Sequence, residues 1–219
     1  MRIETDRLIL RNYKMLDIID YIKLMTQEKV AFRAGFDIKS NEKLVQELKD
    51  ECLNELKFAI EVKGSNGVIG EVGLNSLSLK TMEEFGVKKD ERVMEVEFCL
   101  SEEFWNNGYM TEALMALVKV GFEELSLDAI VGASYTKNLA SKKVQIKCGL
   151  IPFKTNKNYL WRETGETCKV VLSKMTKEQY EHIKSYKKLK IKVIKDNKKQ
   201  KNMEQIRKII EASKNIKEL

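Results

Sequence analysis

Histidine is nearly absent from this chain, with His182 alone in 219 residues. Ser-His-Asp and Cys-His arrangements need an imidazole to take the nucleophile's proton, so the shortage excludes most hydrolases that work through a covalent intermediate. Cysteine is limited to Cys52, Cys99, Cys148 and Cys168, widely scattered and without a C-x-x-C pair, so a structural zinc site is not expected and no metal is assigned. Each sits among apolar or strand-like residues and reads as a buried small hydrophobe, with Cys99 the one placed where a reactive thiol is conceivable. Neither G-x-x-x-x-G-K-[ST] nor a G-x-G-x-x-G after a strand occurs, which removes nucleotide hydrolysis and dinucleotide binding. No apolar run approaches the roughly 18 residues of a membrane span, and the opening MRIETDRLILR carries charges throughout, so neither a membrane segment nor secretion is expected. The expected setting is cytoplasmic, with reduced thiols. Proline is confined to Pro152, which beside the abundant Lys, Asn and Ile reads as a compositional bias.

What the chain does have is length for one sizeable core, and positive charge gathered at one end. The formal net charge is +7, yet Lys174 to Leu219 alone holds 15 Lys and Arg against 6 Asp and Glu. The organisation that follows is a domain over residues 1–175 and a Lys-rich helical extension over 176–219. The extension reads either as an electrostatic arm for RNA or the ribosome or as a solvated helix packing on the core or in a homodimer. The second is favoured, because no aromatic or Arg-rich interleaving marks a nucleic-acid face.

Along the domain, RLILR reads as a first strand, and Asp17 to Glu28 and Glu42 to Leu56 as amphipathic helices. Phe58 to Val62 and Gly67 to Leu74 alternate around Lys63-Gly64-Ser65-Asn66, a hairpin signal. Asn75 to Arg92 is polar and predicts a surface loop that includes Phe85 and Lys88. Asp128 to Tyr135 predicts a buried strand and Leu139 to Cys148 a short helix stopped by Gly149. Tyr159 to Arg162 and Thr167 to Ser173 predict a closing hairpin.

The densest information lies between Glu95 and Leu125. EVEFCL alternates as a half-buried strand, and a loop ending in Asn106-Asn107-Gly108 then delivers Tyr109-Met110-Thr111-Glu112 to the start of an apolar-spaced helix. The first amides of a helix lack intrahelical partners and the dipole adds partial positive charge, so an anion there is held by backbone alone. Gly108 permits the positive φ or close approach that such a cradle needs.

Three blocks, IETDRLILRNYKMLDIIDYIKLM from Ile3, FWNNGYMTEAL, and ASYTKNLASKKVQIKCGLIPF from Ala133, resemble in order and spacing the GNAT superfamily of N-acetyltransferases. The likeness is nearest to its ribosomal-protein N-terminal acetyltransferase branch and covers residues 1–175. It implies an α/β fold, with a mixed, mostly antiparallel central sheet of about six to seven strands flanked by helices. It also implies acetyl-CoA as co-substrate and an amine acceptor. The family's acyl-CoA signature falls on Trp105, Gly108 and Met110, where Met110 stands in place of a small residue and must point into the fold. By that resemblance the main chain of Asn106, Asn107, Gly108, Tyr109, Met110 and Thr111 holds the pyrophosphate, with Tyr109 packing or forming a wall. Asn138 contacts the pantetheine arm, Ser141 lies near the thioester sulfur, and a backbone amide of a bulged strand at Phe98, Cys99 or Leu100 polarises the carbonyl.

Acetyl transfer to an amine needs a neutral nitrogen, a polarised carbonyl and a proton for the departing thiolate. Glu95 and Glu97 share one strand face and are the candidate bases, the family pattern favouring Glu95; both also read as solvated or ion-paired strand residues. Tyr135 and Ser141 are candidate proton donors, and Ser141 also reads as a helix cap. The leading function is an acetyl-CoA-dependent N-acetyltransferase acting on a protein N-terminus or small amine by direct attack. Its rival is a degenerate fold kept as a binding module, with the basic extension recruiting RNA or a protein.

Overall fold

Alternating stretches of the sequence pair into one mixed sheet in the computed structural model, which describes residues 1–161, 164–186 and 192–194. Its strands are β1 (Arg2–Glu4), β2 (Leu8–Arg11), β3 (Lys57–Val62), β4 (Gly70–Ser76), β5 (Val93–Leu100), β6 (Ala129–Tyr135), β7 (Ile151–Trp161), β8 (Glu166–Thr176) and β9 (Lys192–Ile194). The order is β7-β8-β6-β5-β4-β3-β2-β1-β9. Every pairing is antiparallel except β5 with β6. The nine strands among the described residues exceed the expected six to seven, because Arg2–Glu4 forms a hairpin with RLILR and β9 adds outside it.

The helices are α1 (Ile18–Met25), α2 (Glu28–Ala34), α3 (Asn41–Glu51), α4 (Leu79–Phe85), α5 (Tyr109–Glu123), α6 (Leu139–Lys147) and α7 (Lys177–Tyr186). Amphipathic spacing finds α1 and α3, burying Tyr21, Leu24 and Met25 on one and Leu44 and Leu48 on the other, although α3 stops at Glu51 and not at the expected Leu56. The expected loop from Asn75 to Arg92 instead contains α4, capped by the Ser78 hydroxyl, which accepts from the Thr81 amide at 3.1 Å. At 7 residues this helix is too short to reveal a period. Phe85 is correspondingly buried, 6.3 Å from the ring of Phe153, while Lys88 is exposed.

On one face of the sheet α5 is nearly all apolar, burying Ala113, Leu114, Leu117 and Phe122 in the main core. A fully buried leucine contributes about 1.5–3 kcal/mol, so the body of this helix is fixed firmly against the sheet. Tyr180 of α7 stacks on Phe122 at 4.7 Å and donates to Glu123 at 2.7 Å, seating the beginning of the C-terminal extension on α5. The basic run Lys187 to Lys201, apart from β9, and the apolar stripe from Met203 to Ile216 lie outside the described residues.

One irregularity of the sheet makes room for a site. β5 and β6 pair only from Val93–Glu95 to Ala129–Val131. Beyond that, β5 continues to Leu100 against β4 and β6 continues to Tyr135 against β8, so the two strands part. The β4–β5 register is unbroken, so the opening comes from strand divergence and not from the bulge expected at Phe98 to Leu100.

Candidate active site

The opening between β5 and β6 widens into a cleft of about 870 Å³. Backbone groups of Val96 to Leu100 on the β6 side of β5 have no strand partner there, because the pairing stops at Glu95. Phe98, Cys99 and Leu100 line the cleft, as do Asn106, Gly108 and Tyr109 to Thr111. Asn107 does not; its side-chain amide turns back to the Phe104 and Trp105 carbonyls at 3.2 and 3.0 Å.

Gly108 is the N-cap of α5 with φ 76°, a left-handed conformation that costs an L-residue but not glycine. It supplies no side-chain cap, so the first amides of the helix are left to whatever enters the cleft. Asn106 is left-handed too, at φ 62°. Met110 is buried in the main core and 6% exposed, which meets the condition its size imposed on the signature. Trp105 donates from Nε1 to the Leu100 carbonyl at 2.7 Å, and the Arg33 guanidinium lies 4.7 Å above its ring.

Glu95 and Glu97 face the same side of β5, but their surroundings differ. The Lys57 ammonium, itself buried, lies 3.0 Å from Glu97, 2.9 Å from Glu51 and 3.1 Å from Glu71. Glu71 also accepts from the Tyr13 hydroxyl at 3.0 Å. Glu95 joins none of this network, and its carboxyl is pushed up to about 7 by burial, then by the charges of Glu97 and Glu84. A carboxylate titrating there is matched to accepting a proton near neutral pH. Cys99 faces the smaller core beside Tyr13 and Tyr21, and burial, then the Glu71 charge, drives its thiol well upward. This corrects the expectation of a reactive thiol, because the nucleophilic form is the thiolate.

Across the cleft stand Tyr135, Asn138 and Ser141. The expected cap is reversed: Asn138 Oδ1 accepts from the Ser141 amide at 3.1 Å, so Asn138 caps α6 and Ser141 is capped. Asn138 Nδ2 also donates to the Arg33 carbonyl at 3.0 Å, tying α2 to α6. Ser141 Oγ accepts from Gln145 Nε2 at 3.4 Å, which leaves its proton for another acceptor. Tyr135 packs against Gly35, where an added Cβ would stand 3.0 Å from the phenol oxygen.

Lys57, Glu71 and Glu84 escaped the sequence reading. Glu71 was visible as a charge interrupting an apolar strand and Lys57 as one opening another, and they are 6% and 7% exposed, while Glu84 depends on the unforeseen α4. A buried charge needs a partner, so each marked a network before the partners were known.

Residues 7–151 match the acetyltransferase (GNAT) domain family. The uncharacterized N-acetyltransferase YoaA of Bacillus subtilis (strain 168) is 26% identical over 153 residues, spanning 67% of this chain and 81% of that protein. Among solved structures, a GNAT-family acetyltransferase from Bacillus anthracis superposes with a TM-score of 0.69 at 19% identity, covering 81% of this chain and 99% of the other. A ribosomal-protein-alanine acetyltransferase from Vibrio fischeri gives 0.63 at 18% identity, covering 81% and 97%.

Proposed function

The chain belongs to the GNAT acetyltransferase family, and from that premise we propose that it moves an acetyl group from acetyl-CoA to a primary amine by direct attack, with both substrates held together. The observation that carries this reading is the desolvated Glu95, which has no ion pair among the described residues, in the same cleft as the uncapped N-terminus of α5. Acetyl-CoA supplies the activated thioester. The amides from Gly108 to Thr111 are suited to its pyrophosphate, and the unpaired edge of β5 to the amide-bearing pantetheine arm.

The acceptor end of the cleft is acidic, with Glu84, Glu95 and Glu97 on its wall. An amine in neutral water arrives as a cation, which this field attracts. Glu95 takes its proton and exposes the nitrogen lone pair; the C–N bond forms as the C–S bond breaks. The sulfur then receives a proton from Ser141, whose hydroxyl already has its acceptor side engaged by Gln145, or from Tyr135, and that donor is reprotonated by the second proton the nitrogen sheds as the amide forms. A protein N-terminus and a small amine both meet these demands. The rival binding-module reading has less support, because buried Met110 leaves the mouth of the amide cradle clear.

Isothermal titration of the full chain with acetyl-CoA, with desulfo-CoA as second ligand, tests the reading. Saturable one-to-one binding followed by thiol release with some primary amine is the expected result. No binding at millimolar ligand would sink it.

A further inference from the structure

The turn between β1 and β2 reaches the loop ahead of α5, and we infer that Arg7 is a positioning residue for the acetyl donor. Its anchored guanidinium holds the 106–108 loop in the shape that aims the helix amides at the cleft. The inference rests on the acetyl-CoA reading of that cleft.

Glu112, in the first turn of α5, is the anchor. Its Oε1 accepts from the Thr5 hydroxyl at 2.5 Å and from the Arg7 backbone amide at 2.8 Å, and its Oε2 accepts from Arg7 Nε at 2.7 Å. With Nε so engaged, Arg7 Nη1 donates to the Asn107 carbonyl at 2.9 Å, and the guanidinium plane lies 4.7 Å from the Tyr109 ring centroid. One planar fork therefore ties a strand turn, a helix and the loop between two left-handed residues, Asn106 and Gly108. Arg7 is not on the cleft wall; it grips the loop from behind, with Nη2 3.5 Å from where a Gly108 Cβ would stand.

The physical need is specific. Asparagine enters the left-handed region more readily than other non-glycine residues but still less readily than glycine, so contacts from outside the loop help to keep Asn106 there. The Asn107 carbonyl bond is such a contact, and charge assistance strengthens it. Misplacing a binding group by about 1 Å is enough to cost orders of magnitude in binding or rate, so loosening the loop should tell on the acetyl donor and not on the amine. Lysine cannot reproduce the arrangement, because a point charge cannot meet Glu112 and the Asn107 carbonyl in one plane.

The test compares wild type, Arg7→Ala and Arg7→Lys as full chains, by amide hydrogen exchange without ligand and by titration and steady-state kinetics with acetyl-CoA. Expected are faster exchange confined to residues 105–113 in both variants and acetyl-CoA affinity weakened roughly tenfold in both. The KM for acetyl-CoA should rise to match, while kcat and the KM for the amine stay within about twofold. Wild-type affinity in Arg7→Ala, or restored affinity in Arg7→Lys, would overturn the positioning role, the latter in favour of simple charge. Absence of acetyl-CoA binding by the wild type would instead overturn the acetyltransferase reading, and this inference with it. Global rather than local loss of exchange protection in Arg7→Ala, with Arg7→Lys behaving as wild type, would leave Arg7 a structural residue only and also overturn it.

Discussion

The Lys57 ammonium lies 3.0 Å from the Glu97 carboxylate and makes Glu97, itself 40% exposed, the outer member of an ion cluster around a buried lysine. Glu95, two residues earlier on the same strand face, is left outside it, desolvated and raised by the charge Glu97 keeps nearby. Two carboxylates of like position thus acquire different surroundings: one is held by a lysine, the other stands desolvated outside the ion cluster.

The first consequence is a pH profile. Activity should rise as pH climbs through about 7, where Glu95 ionises. Glu95→Gln should remove that limb and lower kcat about 10²–10⁴-fold, the usual contribution of a general base. Glu97→Gln should keep the limb but move it to lower pH, since one of the charges raising Glu95 is gone. Rates followed from pH 5 to pH 9 decide the matter, and an unmoved limb in both variants would put the base elsewhere.

A second consequence concerns stability. Because the folded-state value of Glu95 lies above its unfolded one, the native state binds more protons between the two, and stability falls as pH rises from about 4.5 to about 7. Glu95→Gln has no such loss. At pH 8 it should be more stable than wild type by on the order of 2 kcal/mol, or about 5 °C in Tm, with the gain vanishing near pH 4. Thermal melts at the two pH values check the sign.

Lys57 offers the opposite case. One ammonium serves Glu51, Glu71 and Glu97 at 9% side-chain exposure, and burial makes protonation costly while the three carboxylates outweigh that cost and raise its pKa. Removing one partner of a buried ion cluster leaves uncompensated charge, so Lys57→Met should cost about 3–5 kcal/mol in urea unfolding. Pairing it with Glu71→Gln should recover a large part. Equal losses in the single and double variants would mean the lysine acts through packing alone.

Much of the fold was legible because long elements write their period into the sequence: α5 and the strands around it carry continuous apolar patterns. The resemblance then placed Gly108, Asn138 and Ser141 in one cleft, where they stand. What was illegible was short or long-range. α2 and α4 have 7 residues each, less than two helical turns, and end at left-handed Gly35 and Gly86 without a readable stripe. The difference between Glu95 and Glu97 depends on a lysine roughly forty positions away, and Arg7 meets Glu112 across 105 residues, distances that no local pattern encodes.

Gly108 should be intolerant of a side chain for conformational rather than steric reasons. Its φ of 76° is strained for any L-residue, while the nearest atom to an added Cβ is Arg7 Nη2 at 3.5 Å, an ordinary contact. Gly108→Val should therefore distort the cradle and weaken acetyl-CoA by at least about tenfold, with Gly108→Ala intermediate. Titration of both variants settles it, and wild-type affinity in Gly108→Val would remove the pyrophosphate site from this loop.

Ser141 can be separated from its neighbour because the two contribute to α6 differently. The cap is made by Asn138 Oδ1 and the Ser141 backbone amide, so Ser141→Ala keeps it, and unfolding should shift by no more than about 0.5 kcal/mol. Asn138→Ala loses both the cap and the tie to the Arg33 carbonyl, and should cost about 1–2 kcal/mol. If the Ser141 hydroxyl returns the proton to sulfur, Ser141→Ala lowers kcat by about 10²-fold with acetyl-CoA affinity kept. Unaltered kcat would pass that role to Tyr135, whose Phe variant would then carry the loss.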